Sequence, residues 1–189
     1  HVGGARSVLS AMPVHELRST LDEGHEVRQW RRPGRQTRVP HVPCVAGQRW
    51  QWDGVQFEVL HPVAEQAAPG HRVKPNALSC VLRVFTADAD ARSVLLTGDI
   101  EAAQEHAMLA RQMAAQATPG AGATLRSTLL IAPHHGSKTS STQPFLEAVR
   151  PVQTVVQVGR RNRYGHPAPV VMARYAALGL PIVSSPACG

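Results

Sequence analysis

Residues 129–141 read LLIAPHHGSKTSS. Leu129-Leu130-Ile131-Ala132 is a short, continuous apolar run, the pattern of a strand buried on both faces. It stops at Pro133. Two adjacent histidines follow, then Gly136, Ser137, Lys138 and a cluster of hydroxyls. A strand that ends by offering imidazoles beside a glycine has the form of a site at a sheet edge, because glycine lets the backbone approach a ligand without a Cβ clash.

Two other strands end in the same way. SVLLTGD closes on Asp99, and VQTVVQVGRRNRYGHP closes on Asn162, Tyr164 and His166. Strand and helix alternate around these loops. Strands are expected at 78–85, 93–97, 127–132, 152–158 and from 181, with helices over 100–117, 143–149 and 169–178. Upstream, GQRWQWDGVQFEVLHP (47–62) alternates across Asp53-Gly54, the signal of a tight hairpin. A short helix is expected over 3–12. Residues 28–38 carry five arginines around Trp30 and read as an exposed basic loop, as 63–75 reads as a loop with Pro and Gly. The pattern is β-rich first and alternating later, which is an α/β layered fold.

The bulk composition bounds the rest. A chain of 189 residues that is 43% hydrophobic can bury one sizeable core, so one domain over 1–189 is expected. No apolar run nears the ~20 residues of a membrane span, and no signal peptide is visible. The chain opens with His1 rather than Met and reads as a piece of something longer. A net charge of +7 fits a polyanionic partner or an arginine-rich composition equally well. Aromatics at 4% exclude an extended base-stacking sheet. Cys44, Cys80 and Cys188 form no C-x-x-C pair, so a structural zinc knuckle is not expected and at most one disulfide can form.

One aspartate and several histidines converging on one edge is the composition of a Zn²⁺ or Mn²⁺ site. Each element alone has a plainer explanation: Asp99 as a turn or helix cap, His134-His135 as a turn with one imidazole on a carbonyl, His166 as helix-entry chemistry. Their coincidence favours the site. His15, His25, His41, His61, His71 and His106 lack this setting and are read as surface or packing residues, His61 being the least clear of them.

The strings AGQRWQWDGVQFEVLHP, NALSCVLRV, LLTGDIE, LLIAPHHGSKTSS and VGRRNRYGHP, in that order, resemble the C-terminal metallo-β-lactamase-fold domain of the ComEC DNA-internalisation competence proteins, over nearly the whole chain. LLTGDIE fits many hydrolases of that fold. PHHGSKTSS followed by NRYGHP is more specific. The resemblance implies a metallo-β-lactamase-like αββα sandwich lacking its first strands. His1-Val2-Gly3-Gly4 would then be the tail of an H-x-H-x-D-H motif, with the remaining ligands upstream and little hydrolysis by this chain alone.

By the same resemblance, Asp99 takes the bridging-carboxylate place, and His1 and either His134 or His135 are metal ligands. His166 is a further ligand or a phosphate-contacting group. Asn76 stands where many fold relatives have a histidine, a departure from the six-ligand set. Asn76, Ser137, Lys138, Asn162, Arg163 and Tyr164 are the candidates for holding the substrate's phosphates. The implied activity is metal-dependent phosphodiester hydrolysis, with two Zn or Mn ions clamping the phosphate and drawing the pKa of water toward ~7, so that one strand of incoming DNA is degraded. The implied partners are DNA and the rest of a membrane-embedded parent protein, with no small organic cofactor and with placement at the cell membrane through that parent. Two competing readings are a non-catalytic DNA-guiding module and a lactonase- or thioesterase-like hydrolase of small molecules.

Overall fold

The structure is a computed structural model that describes residues 3–31, 34, 37–67, 73–87, 92–116 and 124–188. The chain divides into two compact units, His1–Cys44 and Val45–Gly189.

In the first unit, helix α1 (Ala5–Ala11) is followed by strand β1 (Leu17–Ser19), helix α2 (Glu26–Gln29) and strand β2 (His41–Pro43). β1 and β2 pair in parallel, Leu17 opposite His41, and Ser19 Oγ lies 2.9 Å from His41 Nε2. His25 caps α2 through Nδ1, which accepts from the Val27 amide. Leu9, Val27 and Cys44 are buried, and Cys44 is disulfide-bonded. Within the basic stretch, Arg28 donates to the Leu21 carbonyl, and Arg31 and Arg38 form a lone bridge. Arg32 and Arg35 lie outside the described residues, as do His1 and His71.

The second unit is a seven-stranded sheet ordered as in the sequence: β3 (Arg49–Trp52), β4 (Val55–His61), β5 (Val81–Thr86), β6 (Ser93–Leu96), β7 (Leu129–Ile131), β8 (Gln153–Val156) and β9 (Ile182–Ser184). Pairing is antiparallel from β3 to β6 and parallel from β6 to β9. Helices α3 (Ala64–Ala67), α4 (Ala102–Gln116), α5 (Gln143–Val149), α6 (Pro169–Ala177) and α7 (Ser185–Cys188) complete it.

The hairpin turns at Asp53 (φ 47°) and Gly54 (φ 79°), a left-handed pair that matches strand twist. β5 begins three residues later than its apolar run suggests, because Pro75–Leu78 forms a 3-10 turn whose Ala77 carbonyl accepts from the buried His61 Nε2 at 2.9 Å. His61 is thus a packing residue, and burial pushes its pKa down. Cys80, just ahead of β5, is disulfide-bonded.

One sheet face is the core. Val81, Leu95 and Leu130 meet Met108 of α4, Phe145, Leu146 and Val149 of α5, and Val171 and Tyr175 of α6. Register puts a different set on the other face: Val84, Val94 and Leu129 in one row, Leu82 and Leu96 in the next, with Ile131, Val155 and Val183 beyond. These are all apolar and only half-buried, Leu96 and Val183 remaining 38% exposed. Parallel strands are ordinarily covered on both faces, so this face has the character of a layer boundary.

Candidate functional site

Because β6, β7 and β8 run parallel, the loops after them leave one edge of the sheet. β5 is antiparallel to β6, so the turn before it, with Asn76 and Ser79, lies at the same edge. Topology alone gathers Asn76, Asp99, His134, His135 and His166.

Close backbone packing fixes the loops. Thr97 Oγ1 donates to the Ile131 carbonyl at 2.7 Å, and the Asp99 amide donates to Ser79 Oγ at 3.0 Å. Gly98 has φ +56°, and a Cβ there would stand 3.0 Å from Ser79 Cβ. The next loop is more unusual. His134 (φ 47°, ψ 42°) and His135 (φ 55°, ψ 25°) are both left-handed, at a cost of roughly 1–2 kcal/mol each for residues with a Cβ. Gly136 continues the turn at φ +73°.

Surrounding bonds hold this strained turn. The His134 amide donates to the Gly98 carbonyl, the Ser137 amide to the His134 carbonyl, and the Ala168 amide to the Gly136 carbonyl. Ser140 Oγ reaches the Pro133 carbonyl. The fully buried Glu105 of α4 accepts the Ser141 and Thr142 amides at 2.6 and 2.8 Å. Arg174 donates to the Ser140 and Ser141 carbonyls. The handedness of the turn is over-determined, as strain at a functional site requires.

Two imidazole–carboxylate pairs result. His135 Nε2 lies 3.4 Å from Asp99 Oδ1, with the two side chains 29% and 11% exposed. His135 Nδ1 is bonded to the Gln157 carbonyl. A carbonyl only accepts, so Nδ1 carries the proton, and in a neutral ring Nε2 then turns a lone pair toward a carboxylate. Two acceptors facing each other repel unless a proton or a cation lies between them. His134 is arranged differently. Its Nδ1 is 3.4 Å from both Glu101 Oε1 and Thr139 Oγ1, and its Nε2 is 3.4 Å from Asn76 Nδ2, which also approaches Glu101 Oε1. Of the two adjacent histidines, His135 is therefore the one set against Asp99, and His134 the one set against Glu101 and Asn76.

His166 joins from the loop after β8, its ring centroid 6.1 Å from that of His134. Burial lowers its pKa, helped by the neighbouring His134 and His135, while Asp99 opposes the shift. The ring is thus neutral near pH 7, and its Nδ1 is buried without a hydrogen-bond partner among the described residues.

The remaining expected residues divide. Asn162 is spent on its own loop, accepting from the His166 amide and donating to the His166 carbonyl. Ser137 is buried and bonded to Thr139. Lys138, Arg163 and Tyr164 are exposed, with Arg163 5.4 Å over the Tyr164 ring. Among the described residues, no three His, Cys, Asp or Glu side chains gather as a metal cluster, and His1 lies outside them.

Glu101 and Glu105 stand at the start of the helix after Asp99, where carboxylates favour the helix dipole, and their contacts were missed. The spacing of Glu101 two residues beyond Asp99 was the available signal for the first. Nothing in the sequence marks the Gln157 carbonyl.

No protein-family model matches the chain. Curated relatives do. Over 186 residues the chain is 34% identical to "Uncharacterized protein YcaI" of Escherichia coli, covering 98% of this chain and 20% of that protein. It is 37% identical over 144 residues to "Competence protein ComA" of Neisseria gonorrhoeae (76% and 18%), and 34% identical over 178 residues to "Recombination protein 2" of Haemophilus influenzae (92% and 18%). The chain thus spans about a fifth of the length of these relatives. An α/β unit with imidazoles and carboxylates at one sheet edge, homologous to segments of competence proteins, defines the class. The chain belongs to the ComEC family of competence proteins.

Proposed function

We propose that this chain is the metal-dependent hydrolase portion of a membrane-embedded competence protein, a nuclease acting on one strand of DNA during uptake. The observation that carries the reading is the Asp99–His135 pair, 3.4 Å apart, with the other imidazole nitrogen committed to a carbonyl. That donor chemistry fits one edge of the coordination sphere of a divalent cation. Asp99 and His135 would hold the ion, with His166 beside them. When bound, Zn²⁺ or Mn²⁺ supplies Lewis-acid activation of water and of the phosphodiester.

The chain's own residues do the rest. The Gln157 carbonyl orients His135. Glu101 and Asn76 orient His134 toward the same edge. Lys138 and Arg163, both exposed, meet phosphate oxygens. The half-exposed apolar sheet face supports the αββα reading, in which a second sheet covers it. Among the described residues no helix is long and apolar enough to cross a membrane.

The test is calorimetric titration of this chain with Mn²⁺ and Zn²⁺, alongside release of label from end-labelled DNA. We expect metal binding that Asp99→Ala and His135→Ala abolish, together with any cleavage. Metal binding indifferent to both substitutions refutes the proposal. A second reading, a DNA-guiding module without catalysis, is favoured by one observation: Asn76 occupies His134 Nε2. DNA binding unchanged by chelator, with no cleavage at any metal concentration, would select it.

A further inference from the structure

We infer that Tyr164 is a stacking platform for a single unpaired nucleobase, held beside the histidine edge. The inference rests on the DNA-acting reading above and adds the form of DNA. Tyr164 is 69% exposed, so its ring takes little part in packing. It lies 6.1 Å from the His166 ring with planes inclined by 18°, and the Arg163 guanidinium stands 5.4 Å from its centre. His166 in turn neighbours His134. An exposed aromatic ring thus lies next to His166, at the histidine edge.

Arg160, Arg161 and Arg163 are exposed in the same loop and give a phosphate backbone its counter-charge. In a duplex each base is already stacked on both faces. Only an unpaired or extruded base can lie on a side-chain ring. With aromatics at 4% of the chain, one platform of this kind fits better than an extended series of them.

Binding of fluorescein-labelled oligothymidylate to the full chain, followed by anisotropy in EDTA, tests this apart from metal chemistry. Wild type should bind the single strand more tightly than a blunt duplex of equal length. Tyr164→Ala should weaken single-strand binding by about 5- to 150-fold, the roughly 1–3 kcal/mol of one base on an aromatic ring, and duplex binding by less than about twofold. Tyr164→Phe should keep wild-type affinity. The inference is overturned if wild type does not bind oligothymidylate, if Tyr164→Ala binds it normally, if the duplex loses as much, or if Tyr164→Phe fails like Tyr164→Ala. A failure of the nuclease reading would appear in the metal titration and leave these affinities unaltered.

Discussion

Replacing Glu105 by glutamine exchanges one oxygen for an amide nitrogen at the point where α4 holds the histidine loop. In the wild type one carboxylate oxygen accepts the Ser141 amide at 2.6 Å and the other accepts the Thr142 amide at 2.8 Å, with no exposure to water. Glutamine can accept only one of these donors, and its NH₂ opposes the other. One orphaned buried N–H costs about 1–3 kcal/mol. For a chain of this size that lowers the melting temperature by about 2–12 °C, at ~2–4 °C per kcal/mol. Glu105→Ala orphans both donors and should cost about 2–6 kcal/mol.

Burial raises the pKa of Glu105 above its ordinary 4.5, against the pull of the Thr142 and Ser141 groups that donate to it. The folded state therefore holds this proton more tightly than the unfolded chain. Its contribution is fully present below 4.5 and is lost as pH rises through the folded-state value. Glu105→Gln does not titrate and should lack this dependence on pH. Urea denaturation of both proteins across pH, with hydrogen exchange at the Ser141 and Thr142 amides, measures it. A Glu105→Gln protein within about 0.5 kcal/mol of wild type at every pH, with unchanged protection of those amides, would refute the reasoning.

Gly136→Ala should destabilise by about 2–5 kcal/mol, combining left-handed strain with overpacking, because its methyl would stand 2.8 Å from Pro167 Cβ at φ +73°; a denaturation midpoint equal to wild type would contradict that packing. His61 has its pKa lowered first by burial, then by nearby Arg111, against its bond to Ala77. Its contribution to stability is therefore present above 6.5 and lost as pH falls. His61→Gln, which keeps a donor for the Ala77 carbonyl, should flatten the decline in urea midpoint below that pH, and an undiminished decline would assign it to another group.

The second unit was legible wherever local chemistry and tertiary placement agree. The Asp53-Gly54 hairpin follows from residues that tolerate positive φ. Helix α5 occupies Gln143–Val149, the span bounded in the sequence by a hydroxyl cluster with proline at the second position and by Arg150 before Pro151. Elements set by distant partners were not legible. β1 finds its mate on the far side of the basic loop, and the turn at Pro75–Leu78 replaces the start of an apolar run because His61 takes the Ala77 carbonyl. The gathering of Asp99, His134, His135 and His166 at one sheet edge could be read, since all stand in loops that follow strands running the same way.

Their division of labour could not be read, and the reason is the backbone. Adjacent histidines have the same chemistry, and only the left-handed turn at 134–136 decides which ring meets Asp99 and which meets Glu101 and Asn76. That turn is held from outside itself, by the Gly98 carbonyl, Glu105, Arg174 and the Pro167 segment. None of these is near the two histidines in sequence. The pairing of His135 with Asp99 is thus a property of loop handedness.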